Sequence, residues 1–340
     1  MQAATRLTAS RDLAGATAVI QAALQSAGLS AGSHTPAPKD TDVIDVPAHE
    51  VHEATGESPV APSGEPEAFI AGNAHGRDYK LYIPSHSGAK KLPLIVMLHG
   101  CTQNPDDFAA GTRMNDAARV QGCFVLYPAQ SSRANPQRCW NWFKHSHQVR
   151  GRGEPAILAA MTSDIALHYP IDPARVYVAG LSAGGAMAAI LVDTYPEIYA
   201  AAGIHSGLAA GAAKDLPSAL SAMKSGGSPV AHNPDARPTI VFHGDADTTV
   251  HPSNAGHVIH AATTATSRAE LKRDRSAGGR DYTRSVHRSA DGRVIAEHWV
   301  VHGSGHAWAG GSPAGSYTDA NGPDATAQML RFFLEHPRLT

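Results

Sequence analysis

One segment, ARVYVAGLSAGGAMAAILVDTYPEIY at residues 174–199, constrains the architecture more than any other. Val176, Tyr177 and Val178 form a short apolar run of the kind buried on both faces of a parallel sheet. Ala183 to Val192 follow as a compact run of helix formers that ends before Pro196, where a helix cannot continue. Strand, tight turn and helix therefore succeed one another directly. The turn reads Gly180-Leu181-Ser182-Ala183-Gly184, a G-x-S-x-G pattern. Glycine is needed at Gly180 and Gly184 because a side chain there would collide with the neighbouring strand or helix, and the serine between them takes a strained conformation that exposes its Oγ. Ser182 is the candidate nucleophile.

The letters GLSAG also occur at residues 28–32, and context separates the two copies. The first copy closes a segment in which Leu7, Leu13, Val19, Ile20 and Leu24 recur at roughly helical spacing, with Gly28 where a C-terminal cap belongs. No strand precedes Ser30, and the stretch after it is rich in Pro, Ser, Glu and His without apolar periodicity. Ser30 reads as an ordinary loop serine. The chain thus divides into an N-terminal helical segment over 1–28, a flexible linker over 29–66 and one large domain over 67–340.

Within that domain, AFIAGNAHGRDYKLYIPS reads as two strands about an Asn-Ala-His-Gly turn, LPLIVMLHG as a buried strand, DDFAAGTRMNDAARVQG as one helix and CFVLYP as another strand. EPAILAAMTSDIALHYP is a helix, PTIVFHG a late strand and DATAQMLRFFLEH a final helix. Strands alternating with helices imply an α/β fold with a doubly wound, mostly parallel sheet and helices on both faces. In such sheets the chemistry sits beyond the carboxyl ends of the strands.

Composition excludes some partners. The 340 residues carry a net charge of −2, which leaves no basic footprint for nucleic acid. No apolar run approaches the about 18 residues that a membrane span requires. The N-terminal segment, with Arg6 and Arg11, lacks the apolar core and cleavage site of a secretory signal, which points to the cytoplasm. Of the three cysteines, Cys123 in GCFVLYP reads as a buried strand thiol. Cys101 and Cys139 lie beside candidate site segments, either as free thiols or as a disulfide that would suit an oxidising compartment. Twenty histidines invite a metal reading, but His145 and His147 in KHSHQ have no further ligands spaced around them. Neither a metal nor an organic cofactor is expected.

A serine hydroxyl is a poor nucleophile unless a base takes its proton, and the base needs an acid to fix its tautomer. The segment PTIVFHGDADTTVHP offers Asp245 and Asp247 for the acid. Further on, in AEHWVVHGSGHAWAGG, alternation puts His298 and His302 on one face of a strand, as packing or surface residues. His306 follows Gly303, Ser304 and Gly305, which free the loop to curl over the sheet edge, and is the expected base. The oxyanion of an attacked carbonyl needs two backbone N–H donors. Ala183, after the nucleophile, supplies one; Cys101 in VMLHGCTQ, where Gly100 permits close approach, supplies the other. In CWNWF, Trp140 and Trp142 lie two apart and point the same way if extended, either as an apolar wall for substrate or as packing for a long loop.

Together LHGCTQ, CWNWF, YVAGLSAGGAM, HGDADTTV and GHAWAGG resemble the esterases of the polyhydroxybutyrate depolymerase family, close to the feruloyl and acetylxylan esterases of the α/β-hydrolase superfamily. The likeness runs from about residue 69 to the C-terminus. It implies Ser182 as nucleophile, His306 as base and Asp247 as acid, since in this loop the acid usually stands four residues after a strand-terminal His and before an x-x-Val turn, as His243 and Val250 frame it. Cys101 and Ala183 are then the oxyanion donors, and Trp140, Trp142 and Gln103 are expected to contact substrate. The implied reaction is hydrolysis of carboxylic esters through an acyl-enzyme, on 3-hydroxyalkanoate oligomers or polymer or on feruloyl or acetyl esters. A peptidase of the same fold, or a non-catalytic binding module built on it, is the alternative. Such esterases are often secreted, which opposes the cytoplasmic reading. Ala309 stands where they often carry Pro after the Trp.

Overall fold

A ten-stranded sheet carries the fold, with six parallel strands in its buried middle. The computed structural model describes residues 66–85, 90–227, 231–233, 235–264 and 267–338. The helical segment expected over 1–28, Ser30 and nearly all of the linker expected over 29–66 lie outside the described residues. The parallel strands are β3 (Leu92–Leu98), β4 (Phe124–Pro128), β5 (Ile171–Leu181), β6 (Ala201–His205), β7 (Thr239–Gly244) and β10 (Val294–Val301). They lie side by side in the order β4-β3-β5-β6-β7-β10. Antiparallel strands flank them: β1 (Ala68–Ala74) and β2 (Arg77–Ile83) beyond β4, and β9 (Asp281–Arg288) and β8 (Arg268–Arg275) beyond β10.

Burial on both faces explains why the central strands read as unbroken apolar runs. Along β3, Leu94, Val96 and Leu98 enter one core and Ile95 and Met97 the other. Helices α3 (Gly153–His168), α4 (Ala183–Thr194), α5 (Leu216–Ser225) and α6 (Ser253–Ala262) cover the first core. Over the second lie α1 (Pro105–Thr112), α2 (Met114–Gln121) and α7 (Ala325–Glu335). On this side Tyr177 of β5 stacks on Phe333 of α7 with ring centroids 5.0 Å apart. Such a pair adds about 0.5–1.5 kcal/mol beyond its burial and fastens α7 to the strand that ends at Ser182. A short parallel pair, β11 (Trp308–Ala309) and β12 (Thr318–Asp319), follows the main sheet.

Local sequence signals explain the details. β1 and β2 turn through His75 and Gly76 at φ of 53° and 71°, the left-handed pair that a tight hairpin requires. The single helix expected over DDFAAGTRMNDAARVQG is two helices. Arg113 adopts φ 52°, its N–H closes α1 onto the carbonyl of Ala109, and α2 starts at Met114. Asn104 and Pro105 start α1 as a side-chain cap and a proline in the first turn.

Candidate active site

Ser182 sits at the junction of β5 and α4 with φ 58° and ψ −119°, a backbone conformation that costs of order 1–3 kcal/mol for a residue with a Cβ. The flanking glycines make the junction sterically feasible. A Cβ on Gly184 would lie 2.0 Å from the carbonyl oxygen of Leu98, and one on Gly180 would lie 2.4 Å from the carbonyl carbon of Gly184. The Ser182 N–H donates to the carbonyl of His205 at 2.9 Å, which hangs the turn on the end of β6.

The loop after β3 closes over the same point. A Cβ on Gly100 would come within 3.7 Å of the Ser182 Cβ, so the loop backbone passes directly beside the serine. His99 shapes this loop: its Nε2 accepts from the Gln130 N–H at 3.1 Å, so Nδ1 carries the proton and donates to the Gly100 carbonyl at 2.7 Å. Burial pushes this imidazole down to about 4, which keeps that tautomer neutral. The Gly100 N–H donates to Gln103 Oε1 at 2.8 Å. The N–H groups of Cys101 and Ala183 donate to no protein acceptor among the described residues. Two backbone donors thus flank the serine without a competing protein partner, an arrangement that suits a developing oxyanion.

Beyond β7, Asp247 is buried, and its Oδ2 lies 2.7 Å from His306 Nδ1. Its Oδ1 accepts from the N–H groups of Thr249 and Val250 at 2.9 Å each. Burial alone would push this carboxyl up, but the hydrogen bonds from His243 and His306 outweigh it and hold the group well below the usual carboxylate range. Asp245 makes a different pair: its Oδ2 takes His302 Nδ1 at 2.7 Å and its Oδ1 takes the Gly303 N–H. Side-chain exposure separates the two pairs, at 7% and 0% for His306 and Asp247 against 29% and 41% for His302 and Asp245. Water screens the outer pair and leaves the inner one its full strength.

Gly244 admits the His306 loop, for a Cβ there would lie 2.1 Å from the Ser304 carbonyl oxygen. The loop then docks on His205, whose Nε2 accepts the Ala309 N–H at 2.9 Å while its ring stacks on Trp308 at 5.0 Å. His205 therefore joins the two halves of the site: its carbonyl holds Ser182 and its ring holds the strand that leaves His306. Burial, with the field of His243 added, drives this imidazole well below its ordinary range. No hydrogen bond links Ser182 Oγ to His306 in this structure; a nucleophile–base bond commonly tightens only when substrate is seated.

The three residues expected to contact substrate lie in the interior. Trp140 and Trp142 belong to the core cluster, and the Trp140 indole N–H donates to the His99 carbonyl at 3.0 Å. Gln103 is buried, its Nε2 donating to Asp107 Oδ2 at 2.9 Å. The disulfide Cys101–Cys139, with Cα atoms 4.2 Å apart, ties the loop after β3 to the tryptophan segment. Glu154, in the first turn of α3, secures that segment by accepting from the backbone and side-chain N–H groups of Asn141 at 2.7 Å each and from Gln130 at 2.6 Å. A lone carboxylate opening an apolar helix is an ordinary charge at a helix start, so its sequence gave no pointer to this role. His205 was equally silent, and only the register of β6 beside β5 brings it to Ser182. Among the described residues no His, Cys, Asp or Glu group could hold a metal ion, and no helix is long and apolar enough to cross a membrane.

A doubly wound sheet with a strained serine at its strand-to-helix turn, and a carboxylate–imidazole pair after the late strands, defines an α/β-hydrolase. Within that class the chain belongs to the esterase PHB depolymerase family, whose profile matches residues 77–278. It is 32% identical over 253 residues to the poly(3-hydroxyalkanoate) depolymerase C of Paucimonas lemoignei, covering 71% of this chain and 59% of that one. To feruloyl esterase B of Neurospora crassa it is 31% identical over 192 residues, covering 50% of this chain and 64% of the other. Among solved structures, the acetyl xylan esterase of Aspergillus awamori superposes with a TM-score of 0.60 at 18% identity, covering 80% of this chain and all of that one, a likeness of fold. The chain spans under two thirds of the length of these two curated relatives.

Proposed function

We propose that this protein hydrolyses carboxylic esters through an acyl-enzyme on Ser182. Ser182 Oγ attacks the ester carbonyl carbon as its proton passes to His306 Nε2, and the N–H groups of Cys101 and Ala183 receive the oxyanion. His306 then returns the proton to the departing alkoxide as the carbon–oxygen bond breaks, leaving the acyl group on Ser182. A water molecule, deprotonated by the same imidazole, attacks the acyl carbon, and collapse of the second tetrahedral intermediate frees the acid and restores the serine. Asp247 holds the Nδ1–H tautomer throughout. Trp140 and Gln103 act one layer back and fix the loop that carries the Cys101 N–H through their bonds to the His99 carbonyl and the Gly100 N–H, while Trp142 packs in the core.

The observation that carries this reading is the buried 2.7 Å bond between Asp247 and His306 on a loop that docks, through His205, on the turn of Ser182. Substrates follow from the relatives: 3-hydroxyalkanoate oligomers or polymer, or feruloyl and acetyl esters. The Cys101–Cys139 disulfide favours an extracellular over a cytoplasmic setting, because such bonds persist in oxidising surroundings.

An organophosphonate followed by mass spectrometry should label Ser182 and leave Ser30 untouched. Ser182→Ala should abolish turnover of a p-nitrophenyl ester, whereas Ser30→Ala should keep it, and a peptide anilide should not be cleaved. Hydroxybutyrate oligomers, methyl ferulate, acetylated xylan and short-chain esters, assayed side by side, then rank the substrates. A label on Ser30, or full activity in Ser182→Ala, would overturn the proposal.

A further inference from the structure

We infer that His243 is a positioning residue for the acid of this site, its Nε2–H bridging the Val250 carbonyl and the carboxylate oxygen of Asp247 that also serves His306. The inference rests on the ester-hydrolase reading above. His243 is the penultimate residue of β7 and is 2% exposed. Its Nε2 lies 2.8 Å from the Val250 carbonyl oxygen and 3.3 Å from Asp247 Oδ2. A carbonyl only accepts, so Nε2 carries the proton, and one N–H is shared between two acceptors. The other nitrogen, Nδ1, is buried with no partner among the described residues. An imidazole kept for packing alone would not orient its one N–H towards the acid while leaving a buried nitrogen unpaired, since each unpaired group costs free energy.

The effect on Asp247 follows from counting donors. Oδ1 takes two backbone N–H groups, from Thr249 and Val250, which fix one end of the carboxylate. Oδ2 takes His306 at 2.7 Å and His243 at 3.3 Å. With His243 gone, Oδ2 keeps a single donor and the carboxylate can tilt within its pocket, taking the His306 ring with it. The other ionisable groups acting on this cluster are His205 from β6, His298 from β10 and His306 from the loop after it. On α6, His257 is influenced by its neighbour His260 and not by His243. Asp247 is the carboxylate among these groups, so it is the one charged group that the His243 N–H, shared with the Val250 carbonyl, acts on.

The test compares three variants on p-nitrophenyl acetate, with melting curves alongside. His243→Phe keeps the volume and removes the donor. It should lower kcat by about 10- to 100-fold, the range for a hydrogen bond to a charged group, with KM nearly unchanged. The acid limb of its kcat/KM profile should move to higher pH, because a carboxylate with fewer donors holds the imidazole proton more strongly. His243→Gln places an amide N–H near the Nε2 position and should restore kcat to within about threefold. His243→Asn puts its amide near Nδ1 instead and should behave like the phenylalanine variant; it decides the matter if His243→Phe does not fold. Wild-type kcat and pH profile in His243→Phe or His243→Asn would overturn the inference. So would equal losses in His243→Gln and His243→Asn that track melting temperature, because that is the pattern of a packing role. Activity surviving in Ser182→Ala is a separate failure, of the ester-hydrolase reading itself.

Discussion

Two aspartates two residues apart, each 2.7 Å from a histidine, show what a residue's surroundings decide. Asp245 pairs with His302, whose Nε2 lies 2.8 Å from Thr283 Oγ1, so that trio laces the end of β10 to β9 and to the turn after β7. Asp247 reaches His306 beneath the surface. If Asp247 orients the base, Asp247→Asn should lower kcat by about three to four orders of magnitude with little change in KM, because it disturbs the tautomer and not ground-state binding. Asp245→Asn should act chiefly on the melting temperature. Side-by-side kinetics and melting curves of the two variants decide, and a reversed pattern would move the acid by two residues. From the sequence alone both aspartates were open; the resemblance chose Asp247, which is the more deeply buried of the two. The deep partners of these groups were not legible. His205, His99 and Glu154 act through neighbours distant in the chain, and a lone histidine or glutamate in an apolar segment carries no local signal of its partner.

Elements were legible where one periodicity ruled and obscure where small or charged residues filled them. β3 and β5 read as buried runs, and α4 as the helix after the serine, because apolar strand formers and helix formers abut there. β6, with its sequence AAGIH, is short and built of small residues, and β8, with RAELKRDR, is exposed along its whole length, so neither carries an apolar pattern. The CWNWF segment is another such case: its paired tryptophans read either as a substrate wall or as packing for a long loop, and Glu154 and the disulfide hold the segment in the interior, where the Trp140 indole N–H donates to the His99 carbonyl of the loop that continues through Gly100 and Cys101. That loop should therefore depend on its crosslink. The Cys101→Ala/Cys139→Ala double variant opens a closure of 38 residues and should lose about 2–4 kcal/mol of stability. Its kcat should fall more than its KM rises, because the Cys101 N–H loses its fixed position. Chemical denaturation and steady-state kinetics on the variant check both parts; unchanged kcat in a folded double variant would show that the loop holds itself in place.

At the scale of the whole molecule, the sheet order follows from burial: parallel strands occupy the middle, and antiparallel strands take the edges that water can reach. Alternating strand and helix signals foretold the middle, β6 excepted, but not the antiparallel extension of β9 and β8, whose charged residues resemble a loop. The same deep interior sets the response of the protein to acid. Burial lowers the imidazoles of His99 and His298 to about 4 and drives that of His205 well below its ordinary range. In the unfolded chain these groups take up protons near 6.5. A depressed imidazole binds its proton more readily when unfolded, so its contribution is intact above about 6.5 and is lost as pH falls towards the folded value. Each one therefore lowers the unfolding free energy as pH falls through that window, and the three act in the same direction. The Asp247 carboxylate is depressed as well, but its loss starts only below about 4, where the unfolded chain begins to protonate it. Acid destabilisation between pH 6.5 and 4 is thus expected to be a histidine effect. Calorimetry across this range should show a melting temperature that falls steadily below pH 6.5, and His298→Gln should fall less steeply by the share of one imidazole. A melting temperature that is flat between pH 7 and 5, or a His298→Gln slope equal to that of the wild type, would show that these buried rings find protons in the folded state after all.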